Sequence, residues 1–280
     1  MTGPGPSSTS GARASRPRLV ATDLDGTLLH TDGTVTERTR SVLTALDGLG
    51  VPVVFTTGRP IRWMETLWAD VGGHGLAVCS NGGIVYDVAQ HEVREFWPVP
   101  RATGLEIARV LRDAIPGTMF ALEHCEGWVS EPTFPRHPDD NAERPQGELV
   151  DVYRDDVVKI LAVHRDLPTE EFWQRIEELV GHLVTTTWSS TFALVEISAA
   201  GVTKATTLAT LAAELGIGPD EVIAFGDMPN DLPLLAWAGT SYAMANAHPT
   251  VLELAEHIAP PNDEDGVAAV LTEVFDLSVG

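Results

Sequence analysis

The sequence is poor in cysteine and in long apolar runs, and both shortages exclude classes of protein. Its two cysteines, Cys79 and Cys125, are too few for a disulfide framework, so we expect buried free thiols and a reducing, cytoplasmic location. No segment reaches the roughly 18 consecutive apolar residues that a membrane helix needs, so we expect no membrane partner. With 44% hydrophobic residues in 280 positions, the composition is that of a globular protein with a substantial core.

Positive charge is also scarce. The chain has 18 lysines and arginines against 40 acidic residues, which gives a net charge of −22. Such a field repels nucleic acid and anionic lipid, so we expect no nucleic-acid partner. An anionic substrate would need a local cation, which a divalent metal held by carboxylates could supply. Lysine occurs only at Lys159 and Lys204.

The two ends of the chain differ in pattern from its middle. Residues 18–87 and 199–280 alternate short apolar runs with helical spacing, which predicts a Rossmann-like α/β core with a parallel sheet. Residues 88–198 contain proline-rich breaks and predict an inserted α+β domain. Residues 1–17 are rich in glycine, proline and serine and predict a disordered tail, although their arginines and lack of acidic residues leave a transit peptide open.

Local patterns predict several elements of the core. The apolar runs at Leu19–Thr22 and Val51–Phe55 are typical of buried strands. Asn81–Gly83 predicts a hairpin turn with residues at positive φ. We also expect a helix after Pro60, with an apolar face made of Trp63, Met64, Leu67 and Trp68.

Each polar cluster of interest directly follows a predicted strand. The clusters are Asp23–Thr27, Thr57–Arg59, Asn81–Gly82 and Gly226–Asp231. Because the carboxyl ends of the strands in a parallel sheet line one crevice, we expect these distant segments to converge there.

Three aspartates in these clusters predict a magnesium site. Asp23 and Asp25 can face one pocket if the chain turns at the following glycine, and Asp227 adds a third carboxylate. Carboxylates so close together repel one another unless a cation compensates, and the lack of histidine and cysteine in these loops favours Mg²⁺ over zinc. A phosphate drawn to the metal would be held by a hydroxyl, loop N–H groups and a lysine: Thr57, Gly26, Gly58, Gly82 and Lys204.

These residues resemble the four signature motifs of the haloacid-dehalogenase (HAD) superfamily of phosphohydrolases. The matching segments are Asp23–Leu28, Thr57–Arg59, Lys204 and Gly226–Asp231. Asn81–Gly83, Ala243–Ala247 and Asn262–Ala268 further resemble the Cof-type (HAD-IIB) branch, which carries an inserted C2-type cap between the second and third motifs. The resemblance extends to the inserted region only by position and length.

The resemblance implies a Mg²⁺-dependent phosphomonoester hydrolase of small phosphorylated metabolites, such as sugar phosphates or cofactor phosphates. Asp23 would be the nucleophile that forms an aspartyl-phosphate, and Asp25 would be the general acid and base. Mg²⁺ would be held by the Asp23 carboxylate, the Asp25 backbone carbonyl and the Asp227 carboxylate. The other implied site residues hold the phosphoryl group or support its ligands: Thr57, Gly58, Lys204, Asn230, Asp231, Gly26 and Asn81.

Two other functions fit the same motifs. A phosphotransferase of the phosphomannomutase type would form the same aspartyl-phosphate and pass the group to a sugar. A non-catalytic binding protein would keep only the scaffold. The sequence fixes neither the substrate nor the oligomeric state, and the candidate specificity residues of the cap cannot be placed from it: Trp128, His124, Arg136, His137, Arg144 and Arg154.

Overall fold

The structure is a computed structural model, and it describes residues 16–64, 67–71, 75–135, 145–190 and 192–278. In these residues the chain forms an eight-stranded sheet and a five-stranded sheet, each contacted by helices. The strands are β1 (Leu19–Thr22), β2 (Val53–Thr56), β3 (Leu76–Cys79), β4 (Ile84–Asp87), β5 (Glu92–Phe96), β6 (Met119–His124), β7 (Gly127–Ser130), β8 (Val157–Val163), β9 (Val184–Thr187), β10 (Leu194–Ala199), β11 (Val222–Gly226), β12 (Thr240–Met244) and β13 (His257–Ala259). The helices are α1 (Glu37–Gly48), α2 (Trp68–Val71), α3 (Arg101–Ala114), α4 (Leu149–Val152), α5 (Thr169–Val180), α6 (Lys204–Glu214), α7 (Leu232–Trp237), α8 (Pro249–Leu254) and α9 (Gly266–Phe275). None of the helices in these ranges has the length and apolar character that crossing a bilayer requires.

The eight-stranded sheet has the order β13-β12-β11-β1-β2-β3-β4-β5. Its strands from β13 to β3 are parallel, and β4 and β5 add two antiparallel hairpins at one edge. Helix α1 contacts α2 and α9 while α6 contacts α7, and both groups contact β2. Successive side chains of a strand point to opposite faces, so the full burial of Leu19, Val20 and Ala21 in β1 shows that the sheet is covered on both faces. The predicted α/β core with a parallel sheet is confirmed.

The five-stranded sheet is antiparallel, with the order β7-β6-β8-β10-β9. Helices α3 and α5 pack together, and α5 contacts β9 and β10. Phe120, Ile160, Phe172 and Val195 belong to a buried cluster separate from that of the larger sheet. The inserted α+β unit expected in the middle of the chain is therefore present, and we call it the cap.

The position of the boundary between core and cap stays a prediction. The division at residue 88 would place β5 in the cap, but β5 pairs with β4 in the eight-stranded sheet. We therefore propose a first boundary after Phe96. The last strand of the cap sheet, β10, ends at Ala199, next to the second predicted boundary at residue 198. Most of the predicted tail, residues 1–15, lies outside the described residues.

Local structure agrees with some of the patterns in the sequence and differs from others. The hairpin turn is confirmed, because β3 and β4 are joined by a turn in which Asn81 has a φ of 57° and Gly82 a φ of 104°. The helix expected after Pro60 is present only in part, as a 3-10 turn at Ile61–Trp63 and the short α2 from Trp68. Of its predicted apolar face, Met64, Leu67 and Trp68 are buried and Trp63 is exposed.

The two cysteines differ in burial. Cys79 is buried, and burial raises the pKa of its thiol to about 12, so it is a structural side chain. Cys125 is only partly buried, contrary to the expectation of two buried thiols. Neither cysteine forms a disulfide.

Candidate active site

The predicted polar clusters lie at the carboxyl ends of adjacent strands. In the sheet order, β11, β1, β2 and β3 are neighbours, and all four are parallel. The residues that directly follow these strands are, in the same order, Asp227, Asp23, Thr57 and Ser80. Segments up to 200 residues apart in sequence thereby meet at one edge, as the hydrogen bond between Thr27 and Asp227 demonstrates.

Lys204 is the buried cation of this site. It is the first residue of α6, whose N-cap Thr203 accepts a hydrogen bond from the Thr206 N–H, and it is 1% exposed. Its Nζ donates to Asp23 Oδ1 at 2.6 Å and to Asp231 Oδ1 at 2.7 Å. Burial by itself lowers the pKa of Lys204, but the two carboxylates raise it above its ordinary value. The ammonium therefore stays charged.

Asp231 is an orienting group and is fully buried. Its Oδ1 accepts from Lys204, and its Oδ2 accepts from the backbone N–H groups of Asp227 at 3.0 Å and Met228 at 3.2 Å. Both of its oxygens are thus engaged by donors of the protein. This arrangement fixes Lys204 and the start of the Asp227 loop relative to each other.

Gly26 leaves room for the Asp227 carboxylate. Its φ is +73°, and a Cβ at this position would lie 2.3 Å from Asp227 Oδ2, much closer than any real carbon contact. Asp227 Oδ1 accepts from the Thr27 hydroxyl at 3.0 Å, and Asn246 Nδ2 donates to the Gly26 carbonyl at 2.8 Å. A glycine is therefore required both by the backbone conformation and by the closeness of the carboxylate.

The carboxylates that crowd this edge have raised pKa values. Burial raises the pKa of Asp23 well above its ordinary value, against the opposing effect of Lys204, and repulsion from Asp231 and Asp227 adds to the rise. Burial, followed by repulsion from Asp231, raises the pKa of Asp227 to about 7. Three acids that share one buried cation carry excess negative charge, so the site attracts a further cation.

The donor set fits a magnesium ion. One oxygen from each of Asp23, Asp227 and Asp231 lies within 4.8 Å of the other two. Among the described residues, hydrogen bonds reach only Oδ1 of Asp23 and of Asp227, which leaves the Oδ2 atom of each available as a hard oxygen donor. Asp231 belongs to the cluster, but its two oxygens already accept hydrogen bonds from three donors of the protein.

Asp25 lies at the mouth of the site and is paired with Arg59. The guanidinium binds both carboxylate oxygens, with Nε 2.7 Å from Oδ2 and a terminal nitrogen 2.5 Å from Oδ1. The Asp25 side chain is 58% exposed, unlike the buried Asp23. The structure therefore separates the two aspartates of the first motif into a buried carboxylate and an accessible one.

The loop after β2 offers donors to an anion. Thr57 Oγ1 accepts the Arg59 N–H at 2.9 Å, so its own hydroxyl proton is available. No described residue accepts the Gly58 N–H. Across the loop, Asn230 Nδ2 donates to Asn81 Oδ1 at 3.0 Å, while the buried Asn230 Oδ1 has no hydrogen-bond partner among the described residues. These predicted site residues therefore lie together in the structure.

A pocket of about 280 Å³ opens over these groups, between the core and the cap. Asp23, Asp25, Gly58, Arg59 and Asn230 line its core side. The cap contributes charged residues, Glu123, Lys159 and Glu196, and apolar ones that include Leu161, Phe192 and Leu194. Sequence reasoning did not select the three charged cap residues, although each interrupts an apolar run that forms a strand, a pattern that could have revealed them.

Three of the cap residues named from the sequence are described, and none of these three lines this pocket. His124 is buried beside Asp156, and Arg154 pairs with the same aspartate at the surface. Trp128 packs edge-on against Phe134. The other three, Arg136, His137 and Arg144, lie outside the described residues.

At the strand ends of the parallel sheet, buried carboxylates, a buried lysine and a loop with a threonine hydroxyl lie together under an inserted cap. This combination defines a phosphohydrolase. The chain belongs to the haloacid dehalogenase-like hydrolases, because the model of that family matches residues 20–271. The family membership predicted from the motifs is confirmed.

Several proteins of known or assigned function are similar over nearly the whole chain. A 5-amino-6-(5-phospho-D-ribitylamino)uracil phosphatase of Bacillus subtilis, YitU, is 28% identical over 277 residues, which cover 94% of this chain and 99% of that protein. The pyridoxal phosphate phosphatase YbhA of Escherichia coli is 28% identical over 264 residues, covering 90% of this chain and 96% of YbhA. The structure of the HAD subclass IIB sugar phosphatase BT4131 has a TM-score of 0.78 at 19% identity, covers 93% of this chain and 100% of its own, and so shares the fold.

Proposed function

We propose that the protein is a Mg²⁺-dependent phosphatase that hydrolyses phosphomonoesters of small metabolites through an aspartyl-phosphate. The single observation that carries this proposal is the buried Asp23, whose Oδ1 accepts from Lys204 and whose Oδ2 accepts no hydrogen bond from any described residue, so it can face a cation or a phosphate. Two relatives of the chain are phosphatases of a ribitylaminouracil phosphate and of pyridoxal phosphate. Their substrates support a substrate of similar size for this protein, with one small ring or chain. A pocket of about 280 Å³ agrees with that size.

Residues of the chain would hold Mg²⁺ through oxygen atoms, with the Oδ2 atoms of Asp23 and Asp227 as carboxylate ligands and the Asp25 backbone carbonyl as the third. When bound, Mg²⁺ would neutralise negative charge on the phosphate and on the carboxylates. Lys204 would compensate charge from the opposite side of Asp23. The Thr57 hydroxyl and the Gly58 N–H would bind phosphate oxygens, since neither donor is used by a described residue.

In the first step, a carboxylate oxygen of Asp23 attacks phosphorus, and the bond from phosphorus to the ester oxygen breaks. Asp25 gives its proton to the leaving alkoxide. In the second step, Asp25 removes a proton from water, which attacks the phosphorus of the acyl phosphate and regenerates Asp23 with release of phosphate. Both proton transfers need Asp25 to exchange its present partner, Arg59, for a reacting oxygen.

Phosphate release from a panel of phosphorylated metabolites, measured with and without Mg²⁺, tests the proposal. The expected result is turnover that needs Mg²⁺ and that is lost in Asp23→Asn. A requirement for a sugar bisphosphate together with transfer to a sugar would instead identify a phosphotransferase. Tight Mg²⁺ binding without release of phosphate from any ester would identify a binding protein. A cytoplasmic location stays a prediction from the two unpaired cysteines.

A further inference from the structure

Both lysines of the chain are buried, but only one of them belongs to the motifs described above. Lys159, in the cap strand β8, is 2% exposed. Its Nζ lies 2.7 Å from Glu196 Oε1, 3.0 Å from Glu123 Oε2 and 2.8 Å from the backbone oxygen of Gly58. An ammonium has three donors, so Lys159 is saturated by these three oxygens and has none left for a ligand.

The phosphate-binding loop, Thr57–Arg59, has three backbone carbonyls, and the Gly58 carbonyl is the middle one. The Thr57 carbonyl accepts the Asn81 N–H at 3.0 Å, and the Arg59 carbonyl accepts the Ser80 N–H at 3.0 Å. Both of these donors belong to the β3–β4 turn of the core. The partner of the Gly58 carbonyl comes from the other sheet, so the cap supplies one of the three anchors of the loop.

The Lys159 ammonium is held in place by two carboxylates, and one of them also contacts the core. Glu123 faces Lys159 across the β6–β8 ladder and is also bound by Arg62 and Ser80, which belong to the core. Glu196, on β10, accepts in addition from Ser189. Burial by itself lowers the pKa of Lys159, but Glu123 and then Glu196 raise it above its ordinary value, so the group remains a charged donor.

We infer that Lys159 is a positioning residue for the phosphate-binding loop: by fixing the Gly58 carbonyl from the cap, it keeps the Gly58 N–H and the Thr57 hydroxyl directed at the phosphoryl group. The inference rests on the proposed function for its kinetic consequence. It assigns the cap a part in shaping the catalytic loop, in addition to enclosing the leaving group.

Lys159→Met tests the inference, because methionine keeps most of the volume and removes all three donors. If Lys159 orients the loop, kcat falls by about 10- to 100-fold, the loss expected when a phosphate ligand is misplaced by a fraction of an ångström. The loss has the same size for p-nitrophenyl phosphate, ribose 5-phosphate and pyridoxal 5′-phosphate, since the loop contacts the group that all three share. Lys159→Arg, which keeps a cationic donor, is expected to recover part of the lost kcat.

Arg112→Met is the matched control. Arg112 pairs with the buried Glu131 inside the cap and stacks on Phe120, so its loss also leaves a buried carboxylate unpaired. This pair does not contact the phosphate-binding loop. The control is expected to lower the melting temperature to a degree similar to Lys159→Met, with kcat within about twofold of the wild type because the loop keeps its anchors.

Hydrogen exchange of the peptide that contains Gly58 supplies a readout independent of turnover. It is expected to be faster in Lys159→Met than in the wild type or in Arg112→Met. Equal exchange in the two variants overturns the inference, and so does an unchanged kcat in a folded Lys159→Met. A loss restricted to the KM of one ester also overturns it, because Lys159 would then bind a leaving group.

Two other outcomes are separable from these. If the wild type hydrolyses none of the esters, the proposed function fails, and the exchange comparison alone decides whether Lys159 anchors the loop. If Lys159→Met does not fold, Glu196→Gln takes its place, since it keeps the volume and removes one of the two charges that hold the ammonium. Its expected loss in kcat is about three- to tenfold and again uniform across the esters, and no loss overturns the inference.

Discussion

Gly26→Ala tests whether the turn after Asp23, the proposed nucleophile, is built around the Asp227 carboxylate. Two separate effects are expected from the added methyl group. The backbone at position 26 is in the left-handed region, with a φ of +73°, and the new Cβ would lie 2.3 Å from Asp227 Oδ2. Gly33 has a similar φ of +81° and no atom within 4 Å of the corresponding Cβ. Gly33→Ala is therefore a control for the backbone effect alone.

The two effects have different magnitudes and different readouts. The left-handed conformation costs alanine about 1–2 kcal/mol, so Gly33→Ala is expected to lose about this much stability and to keep its activity. In Gly26→Ala, Asp227 Oδ2 must also move by about 1 Å to reach ordinary contact distance. Mg²⁺ requires its oxygen ligands at about 2.0–2.1 Å in near-ideal geometry, so a shift of this size withdraws the ligand. We expect turnover to fall by about 100-fold.

The assay compares denaturant unfolding and Mg²⁺-dependent phosphate release in the wild type and both variants. The expected pattern is a loss of stability in both, with a loss of activity and a weaker response to Mg²⁺ in Gly26→Ala only. If Gly26→Ala kept the turnover and Mg²⁺ response of the wild type while losing stability like Gly33→Ala, the carboxylate would not hold the metal from its present position, and our reasoning would be refuted.

Three further predictions concern the metal, Lys204 and Asp265, which lies in the segment Asn262–Ala268. Mg²⁺ at about 100 times its dissociation constant is expected to stabilise the protein by about 2.7 kcal/mol, measured by thermal unfolding. We expect no such stabilisation in Asp227→Asn, and an equal stabilisation in that variant would contradict the assignment of Asp227 as a ligand. Lys204→Met is expected to lower kcat/KM by about 10²- to 10³-fold, because it removes a preorganised cation beside Asp23, and kinetics within tenfold of the wild type would count against that role. The third prediction links the pKa of Asp265 to the stability of the protein. Burial by itself raises this pKa, but hydrogen bonds, first from Thr36, lower it overall. The contribution of Asp265 to stability is therefore present above about pH 4 and is lost as the pH falls through the lowered pKa. Asparagine also tolerates the left-handed φ of 54° at this position. Asp265→Asn is thus expected to lose about 1 kcal/mol of unfolding free energy at pH 7 and little near pH 2. An equal loss at both pH values in urea unfolding would contradict this.

The core and its carboxylate cluster could be predicted because local signals there agree. In β1 an apolar run is followed directly by Asp23, and in β11 another is followed by Asp227, so the position of each acid follows from the strand that precedes it. Adjacent parallel strands then bring such residues to one edge without further information. The turn at Asn81–Gly83 was likewise readable from residue types that tolerate positive φ.

The features that sequence reasoning missed depend on contacts between distant segments. Apolar spacing after Pro60 correctly indicates burial of Met64, Leu67 and Trp68. The fourth residue of that pattern, Trp63, is 53% exposed and lines the pocket, because its surroundings depend on the cap. The pairing of Asp25 with Arg59, although both lie in recognised motifs, depends on how two loops approach each other. Lys159 and its carboxylates are visible in the sequence only as charges within apolar strands. Their partners become apparent when the cap is placed over the loop after β2.

The central claim is that Asp23 is the nucleophile of a Mg²⁺-dependent phosphatase. It is tested most directly by Mg²⁺-dependent phosphate release from small phosphomonoesters in the wild type and in Asp23→Asn, with Gly33→Ala as a folded control. The account predicts turnover in the wild type and the control, none without Mg²⁺, and a loss of at least about 10³-fold in Asp23→Asn. Turnover by Asp23→Asn within tenfold of the wild type, or wild-type turnover that is unaffected by removal of Mg²⁺, would contradict it.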